Sequence, residues 1–396
     1  MRIVIIGGGV IGLLTAIECA STGHSVSLFD QGTVPSPAAA SSDRHRVVRG
    51  LHVGNPSATA SAIEAHHLWT ELQNFLSCSF YKRIGALTVL PVEQLGPADR
   101  MLTGSGSRTR TIGPEGLASQ YPHIRFPDGA GALVESHAGV LLADRVVATC
   151  AAWLGMHPLV KLHPGRRAVG VDVDRSSVRF EDGEVVRGDA VLLATGAWSR
   201  ELLAPEVAGR LVLNRQSMIY CEVPAKDADA WSSMPAVVSI GTGNGSWLVP
   251  PVADTPLKFS AASATRVVSR VEGNDTPAKW RDHLLDAASA VLPGFSEEWL
   301  FGTRDCYYLA DSETGGALPV SLSRTVLAFA ACGGGAFKFA PLVARSLARE
   351  LTGTAPARSR ASVPVASGVA TIARIAQMLP GPRKPPPPTP AIRGLS

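Results

Sequence analysis

A glycine-rich turn between an apolar strand and an apolar helix is the feature of this sequence that most constrains its fold. The run IVII at residues 3–6 is typical of a buried parallel strand, and the apolar stretch that ends near Ala20 is typical of a helix. Residues 7–12 between them have the spacing G-x-G-x-x-G. A second strand, residues 26–29, follows and ends at Asp30. This order predicts a βαβ unit in a parallel sheet.

The three glycines and the acidic residue suit a bound dinucleotide. Gly7 permits a tight turn, Gly9 lets a pyrophosphate approach the backbone, and Gly12 lets the helix pack closely on the strand. The free N–H groups at the start of the helix then face the phosphates. Asp30 can accept hydrogen bonds from ribose hydroxyls and would repel a 2′-phosphate, which disfavours NADP. We therefore predict a site for FAD or NAD; a glycine turn without a ligand is the alternative.

Two further glycine segments favour FAD over NAD. An apolar strand ends in Ala194-Thr195-Gly196, which would lie beside the dinucleotide. The segment GGGAFKF, residues 333–339, follows an apolar strand and precedes a helix, and a helix N-terminus attracts anions. Reduced flavin carries negative charge at N1 and the C2 carbonyl. The segment therefore suits a flavin, and it has no evident use in a nicotinamide dehydrogenase.

Composition argues against several other classes of protein. The 396 residues suffice for two domains, and 45% apolar with 18% charged residues indicates a soluble globular protein. A net charge of +4 without a dense Lys/Arg run argues against nucleic acid as a partner. The six cysteines show neither C-x-x-C spacing nor a zinc-type cluster, so no metal site is expected. Because no apolar run spans a membrane and no signal segment is evident, we expect a cytoplasmic protein.

The texture of the sequence changes near Tyr81, which indicates a second domain. Short strand-like segments separated by Gly and Pro follow, among them residues 86–90 and 132–136, and more occur within 216–265. Residues 169–199 predict a hairpin that leads into a buried strand. The other predicted elements are helices at 57–76, 276–292 and 341–351 and a buried strand at 326–330.

Three segments resemble the D-amino-acid-oxidase superfamily, and within it the monomeric sarcosine oxidase group. They are HRVVRGLH (45–52), RDCYYLAD (304–311) and GGGAFKFAPLVARSLARELTG (333–353). Related members oxidise N-methyltryptophan, pipecolate and piperideine-2-carboxylate. The resemblance runs from Met1 to about Gly353 and implies an FAD-dependent oxidoreductase.

The resemblance implies two domains, each assembled from separate segments. We expect an α/β plus α+β fold, with a Rossmann-like FAD-binding domain and a substrate domain built on a mostly antiparallel sheet. The FAD-binding domain would comprise residues 1–80, 140–215 and 326–358. The substrate domain would comprise residues 81–139 and 216–325. Residues 359–396 would form a Pro-rich extension, extended and flexible from residue 380.

The resemblance also assigns residues to the cofactor. Cys306 matches the cysteine that holds the flavin 8α-methyl group through a thioether, and Arg46 matches an arginine near the flavin. A thiolate is the best side-chain nucleophile near neutral pH. Cys332 is the rival for attachment, and an inert buried thiol is the other interpretation of Cys306. The predicted cofactor-binding residues are Gly7, Gly9, Val10, Ile11, Gly12, Asp30, Arg46, Ala168, Gly196, Cys306, Gly334, Gly335, Phe337 and Lys338.

Four residues are predicted to act in catalysis. Arg49 and Lys338 match the two cations that bind the substrate carboxylate, and a guanidinium with an ammonium suits that group. Lys258 matches a lysine that assists the reaction of reduced flavin with oxygen, and Tyr308 matches a tyrosine of the substrate cavity. One alternative is a surface position for Lys258. For the two arginines Arg46 and Arg49, the alternative is pairing with acidic side chains or with the pyrophosphate in place of the substrate.

Several positions depart from the pattern of the sarcosine oxidases. Ala262 stands where those enzymes have a histidine, and Trp247 stands near an expected cavity tyrosine. His45 replaces a small hydroxyl residue, and Gly335 replaces a bulkier one. The cofactor and carboxylate residues are thus retained while the pocket is changed, which argues against sarcosine as the substrate.

We therefore expect a monomeric FAD-dependent amine oxidase that acts on a secondary or cyclic amino acid in a specialised biosynthetic pathway. The C–N bond would become an imine, and O2 would become H2O2. One alternative is a flavin dehydrogenase that passes electrons to a quinone or a carrier protein. A second alternative is a non-catalytic dinucleotide-binding protein, in which a carboxylate site would have no use.

Overall fold

The computed structural model describes residues 1–353 and residue 377. The described residues form nine α-helices: α1 Val10–Ser21, α2 Pro56–Phe75, α3 Val92–Thr103, α4 Pro114–Gln120, α5 Ala143–Met156, α6 Pro205–Ala208, α7 Ala228–Ser232, α8 Ala278–Val291 and α9 Ala336–Thr352. The predicted C-terminal extension, apart from residue 377, lies outside the described residues.

The same part of the chain contains twenty-one β-strands. They are β1 Arg2–Ile6, β2 Ser25–Phe29, β3 Arg46–Val48, β4 Tyr81–Lys82, β5 Ala86–Pro91, β6 Thr109–Ile112, β7 Ala130–Glu135, β8 Gly139–Leu141, β9 Val160–His163, β10 Ala168–Asp172, β11 Ser177–Phe180, β12 Val185–Arg187, β13 Ala190–Leu193, β14 Leu211–Cys221, β15 Ala236–Ser239, β16 Ser246–Val249, β17 Leu257–Ala261, β18 Thr265–Val267, β19 Leu300–Asp311, β20 Ala317–Ser321 and β21 Val326–Cys332.

A six-stranded sheet of order β20-β21-β13-β1-β2-β9 contains the predicted βαβ unit. β1 pairs in parallel with β2 and β13, whereas β20 is antiparallel to β21. The helices α1 and α9 pack together on this sheet, and α2 and α5 contact them. Because α1 is covered on several sides, ten of its twelve residues are buried. No helix among the described residues is both long and apolar enough to cross a membrane.

A larger, mostly antiparallel sheet has the order β18-β14-β17-β16-β15-β5-β7-β6, and β19 also pairs with β14. Side chains alternate between its two faces. One face packs with α8 in an apolar core that includes Leu87, Ile219 and Phe259. Residues such as Met218 and Trp247 on the opposite face border a cavity. This alternation sets which side chains of the sheet can reach a ligand.

Two small antiparallel sheets complete the fold of residues 1–353. The hairpin β10-β11-β12 leads into β13, as the sequence predicts for residues 169–199. The sheet β3-β8-β4 holds the segment that carries Arg46 and Arg49. Because β3 pairs with β8, the backbone of Arg46 is held in a sheet, and the backbone of Arg49 follows directly after it.

The predicted fold class is confirmed, and the predicted helices at 57–76 and 276–292 agree with α2 and α8 to within two residues. The predicted start of the last helix at Pro341 is wrong, because α9 begins at Ala336 and contains the proline. The division into domains remains a prediction. Two strands differ from the predicted domain boundaries. β14 belongs to the larger sheet but starts at Leu211, before the boundary at residue 216, and β20 lies before the boundary at residue 326 but pairs with β21 of the six-stranded sheet.

Candidate active site

A cavity of about 910 Å³ lies between the six-stranded sheet and the larger sheet. That size is within the range of cofactor and ligand pockets. Most of the predicted site residues line it: Gly7, Gly9, Val10, Ile11, Asp30, Arg46, Arg49, Ala168, Gly196, Cys306, Tyr308, Gly334, Gly335, Phe337 and Lys338. Gly12 and Lys258 do not line the cavity.

The glycine turn forms one end of the cavity. Gly7 has a φ of +110°, and a Cβ there would lie 2.2 Å from the carbonyl oxygen of Ala194. A Cβ on Gly12 would lie 1.9 Å from the carbonyl oxygen of Gly7, so this glycine is needed for contact between helix and strand. Gly9, in contrast, faces the cavity, and its added Cβ would meet only Ser41 Oγ at 3.4 Å. An anion can therefore approach the backbone at Gly9 and the first N–H groups of α1.

Asp30 fixes the shape of this turn. Its carboxylate accepts hydrogen bonds from the backbone N–H groups of Gly8 and Gly32, both at 2.8 Å. The side chain is half-buried and borders the cavity. One carboxylate thus holds two backbone segments in place and remains able to accept a hydrogen bond from a ribose hydroxyl.

The start of α9 and the end of β13 form further walls. Trp69 donates a hydrogen bond from Nε1 to the carbonyl oxygen of Lys338 at 2.8 Å, and its ring stacks on Phe337 at 5.8 Å. These contacts hold the first turn of α9, with Lys338 inside the helix and not on the turn before it. Gly334 has a φ of +72°, and a Cβ there would lie 3.0 Å from the Tyr308 ring. Burial raises the pKa of Tyr308 to about 12.

Cys306 lies beside Arg46 on one wall of the cavity. Its Sγ is 3.8 Å from Arg46 Nη2 and 3.7 Å from the carbonyl oxygen of Ala40. The neighbouring Asp305 is buried and pairs with Arg215, whose guanidinium also lies over the ring of Tyr307, although Tyr307 borders the cavity as well. The alternation along the strand therefore directs Cys306 to the cavity, as the sequence predicts. Cys332 also lines the cavity, and burial raises the pKa of its thiol to about 11.

Lys258 is not the surface lysine considered as an alternative. Its side chain is 1% exposed, and its ammonium forms an ion pair with Asp43. The same carboxylate accepts the hydroxyl of Tyr220 and pairs with Arg46. Although burial opposes ionisation, Arg46 and Lys258 hold the pKa of the Asp43 carboxyl well below its ordinary value. Burial lowers the pKa of Lys258 to about 8, despite Asp43, and repulsion by Arg46 contributes.

Arg49 and Lys338 form a second cationic pair in the cavity wall. Within residues 1–353, Glu135 is the anion that acts on both, and neither cation forms a hydrogen bond with it. Glu135 accepts instead from the N–H groups of Gly50 and Leu51, at 2.6 and 3.1 Å. Burial, together with repulsion by Arg49, lowers the pKa of Lys338 well below its ordinary value. A bound anion would relieve this repulsion.

The sequence analysis missed three residues of these clusters, Asp43, Tyr220 and Glu135. Asp43 is an isolated acid directly before the basic residues of SSDRHRVVR, and Glu135 ends an otherwise apolar strand, ALVE. A charge at the end of a buried strand is a usable signal, because it requires a partner. Tyr220 gives no such signal, because its role depends on pairing between β14 and β17.

The donor set of the cavity fits a flavin dinucleotide. The described residues contain no group of three or more His, Cys, Asp or Glu side chains that could hold a metal. The glycine turn, Asp30, the α9 N-terminus and two cationic clusters all border one cavity. These elements match the phosphates, the ribose and the polar edge of an FAD molecule, which defines a flavin-dependent oxidoreductase.

Comparison with known proteins agrees with this class. The chain belongs to the family of FAD-dependent oxidoreductases, DAO, whose sequence model matches residues 2–350. It is 24% identical to the L-saccharopine oxidase of Schizosaccharomyces pombe, over 89% of this chain and 90% of that protein. It is 22% identical to the human peroxisomal sarcosine oxidase, over 51% of this chain and only 52% of the relative.

Solved structures extend the comparison to the fold. NikD, described as an unusual amino acid oxidase essential for nikkomycin biosynthesis, superposes with a TM-score of 0.74. The match covers 96% of this chain and 97% of NikD, at 17% sequence identity. At that identity the likeness concerns the fold alone. The family match over residues 2–350 therefore makes this chain an FAD-dependent oxidoreductase of the DAO family.

Proposed function

We propose that this chain oxidises a secondary or cyclic amino acid other than sarcosine, with O2 as the electron acceptor. The C–N bond becomes an imine, the substrate loses two electrons and two protons, and O2 takes them up as H2O2. FAD supplies the two-electron oxidation when it is bound. The observation that carries the proposal is the pair Arg49 and Lys338, two cations in the cavity wall to which no anion of residues 1–353 is hydrogen-bonded.

The two cations can bind and orient a carboxylate. The planar guanidinium of Arg49 can donate two parallel hydrogen bonds, and the ammonium of Lys338 adds a point charge. A carboxylate held at this end fixes the direction of the C–H bond next to the amine. The same positive charges favour the neutral form of a nearby amine, whose lone pair is needed as the imine forms.

Kinetics of variants test the carboxylate site. Lys338→Ala and Arg49→Ala should each weaken substrate carboxylate binding by about 1.5–3 kcal/mol, measured as kcat/KM for peroxide release from cyclic and N-methyl amino acids. Lys161→Ala is the control, because Lys161 is an exposed lysine on β9. Unchanged kcat/KM in both Lys338→Ala and Arg49→Ala would show that the carboxylate is bound elsewhere.

The electron acceptor distinguishes the proposed oxidase from a flavin dehydrogenase that passes electrons to a quinone or a carrier protein. Lys258 supports O2, because a charged ammonium near the flavin would stabilise negative charge that develops on oxygen. The enzyme reduced without air should be reoxidised quickly when air is admitted. Slow reoxidation by air with fast reoxidation by a quinone would identify a dehydrogenase instead.

We also propose that the flavin is held covalently through Cys306. The support is the position of Cys306 on the cavity wall, with the guanidinium of Arg46 at 3.8 Å from its sulfur. Arg46 donates a hydrogen bond to this sulfur and so holds Cys306 in place on the wall. After acid precipitation, yellow colour should stay in the protein pellet of the wild type and move to the supernatant in Cys306→Ala. A colourless wild-type pellet would contradict covalent attachment, and Cys332→Ala controls for the rival thiol.

A further inference from the structure

Asp43 is a buried carboxylate that joins two cations with different expected roles. Its side chain has no exposed surface, and it forms ion pairs with Arg46 and Lys258. Its other oxygen accepts the hydroxyl of Tyr220 and the backbone N–H of Arg44. Both oxygens are therefore fully engaged, and the carboxylate has little freedom to move.

The partners of Asp43 come from separate parts of the fold. Asp43 lies in the connection between β2 and β3, whereas Lys258 lies on β17 and Tyr220 lies opposite it on β14. Arg46 begins β3 and borders the cavity beside Cys306. Asp43 thus connects the loop after β2 to the face of the larger sheet that borders the cavity.

The charges of this cluster do not cancel. Arg46 and Lys258 contribute two positive charges and Asp43 one negative charge, so one positive charge remains next to the cavity. His45, which is fully buried in the same segment, is neutral, because burial and Lys258 lower its pKa to about 3. The surplus charge suits the negative charge that a reduced flavin carries.

Asp43 both positions the Lys258 ammonium and favours its charged form. The ammonium has one further hydrogen bond, a contact of 3.4 Å with the carbonyl oxygen of His45. The rings of Trp247 and Tyr220 lie 5.6 and 5.8 Å from Nζ and enclose it without pairing its charge. Without the carboxylate, burial and Arg46 would both disfavour the charged form.

We propose that Asp43 is a positioning residue for the oxygen reaction, because it holds the Lys258 ammonium charged and fixed beside the flavin site. This inference rests on the proposed oxidase function. Asp43 touches neither substrate nor oxygen and acts through Lys258. Its loss should therefore slow the transfer of two electrons to O2 much more than it slows the oxidation of the substrate.

The test follows the two half-reactions separately on the purified holoenzyme. For the first, each protein is mixed without air with the amino acid that gives the most peroxide in the wild type, and the rate of flavin reduction is recorded. For the second, each protein is reduced with dithionite without air and mixed with oxygenated buffer, and the rate of reoxidation is recorded. Asp43→Asn should reoxidise at least tenfold more slowly than the wild type, as should Lys258→Met. The double variant should be no slower than Lys258→Met alone, because Asp43 acts only through the Lys258 ammonium that Lys258→Met already removes. Tyr220→Phe, which keeps both ion pairs, is the matched control.

Three outcomes would overturn the inference. The first is wild-type reoxidation in Asp43→Asn, and the second is a double variant whose loss equals the product of the single losses. The third is equal slowing of substrate oxidation in Asp43→Asn, which would indicate a general structural role. If Asp43→Asn does not fold, Asp43→Glu keeps the charge but displaces it, and it should slow reoxidation alone. If Lys258→Met reoxidises like the wild type, the proposed oxygen role of Lys258 fails as well.

Discussion

Lys258 shows how burial and ion pairing oppose each other at one residue. Burial lowers its pKa to about 8, although Asp43 favours its charge. The ammonium is therefore charged below about pH 8 and loses its proton as the pH rises through that value. Over the same range Asp43 and Arg46 stay ionised and His45 stays neutral.

The pH dependence of the oxygen reaction follows from this titration. We expect the rate at which reduced enzyme reacts with O2 to fall as the pH rises through about 8. Lys258→Met should be slow on both sides of this pH, with no step. The measurement is stopped-flow reoxidation across a pH series. A constant rate in the wild type, or the same step in Lys258→Met, would contradict the expected role of the ammonium.

Asp305, the neighbour of Cys306, belongs to a different buried network. Its carboxylate has no exposed surface and pairs with Arg215 and Arg266, and Thr276 donates to it at 2.7 Å. Asp305→Asn keeps the size but leaves two enclosed arginines without their shared anion. We expect the free energy of unfolding to fall by about 3–5 kcal/mol, measured by urea unfolding of the holoenzyme. Asp254→Asn, at an exposed pair with Arg145, should change it little.

At the scale of elements, the glycines of the G-x-G-x-x-G turn have two different roles: one allows the helix to pack on the turn, and another leaves room for a ligand. Gly12 serves contact between α1 and the backbone of Gly7, whereas Gly9 faces the cavity and has an ordinary φ of −75°. A side chain at position 9 is therefore compatible with the protein backbone but not with a pyrophosphate beside it.

Substitutions at these two glycines should consequently fail in different ways. Gly9→Val should fold and lose FAD, which is measured as the flavin-to-protein absorbance ratio together with the circular dichroism spectrum. Gly12→Ala should lose stability, because its Cβ would lie 1.9 Å from the Gly7 oxygen. Full flavin content in Gly9→Val would contradict the assignment of the pyrophosphate to this turn.

Tertiary contacts decide where helix α9 begins. Proline disfavours a helix interior, which is why the sequence predicts a start at Pro341. The helix nevertheless begins five residues earlier, because Phe339 and Ala340 pack in the apolar core and Trp69 binds the Lys338 carbonyl oxygen. Lys338 thereby projects from the first turn of a helix, where its direction is fixed.

At the scale of the whole molecule, the cavity lies where the six-stranded sheet and the larger antiparallel sheet meet. Its walls include the β1–α1 turn and α9 on one side and strands β14, β16 and β19 on the other. A dinucleotide that fills the cavity contacts both sides at once. Because a ligand that binds only the folded state stabilises it by mass action, FAD should hold these parts together.

Removal of the cofactor should therefore lower the thermal stability of the whole chain. In Cys306→Ala, in which the proposed covalent bond to FAD cannot form, the Tm of the apoprotein should be lower than that of the holoprotein. Added FAD should raise it again, with about 2.7 kcal/mol of stabilisation at a hundredfold excess over Kd. A Tm that does not respond to FAD would show that the cavity is stable without its ligand.

Local patterns were sufficient for a large part of this protein. The βαβ unit, the glycine turn and Asp30 are adjacent in sequence, so their geometry follows from short-range rules. Strand alternation likewise predicts that Cys306 points inward while Asp305 and Tyr307 do not, but Tyr307 also borders the cavity. The two cations Arg49 and Lys338 could be named only by resemblance, since 289 positions separate them in sequence.

The sequence by itself determined the class of fold, the dinucleotide turn and the residue types that can bind a carboxylate. Tertiary structure alone decided which charges meet. Asp43 reaches Lys258 across 215 residues, and Glu135 reaches the backbone beside Arg49 across 85 residues. The physical reason is that an ion pair depends on distance in space and on the loss of water around both charges. Neither quantity is encoded in local spacing, because both arise only when separate strands and loops pack around one cavity.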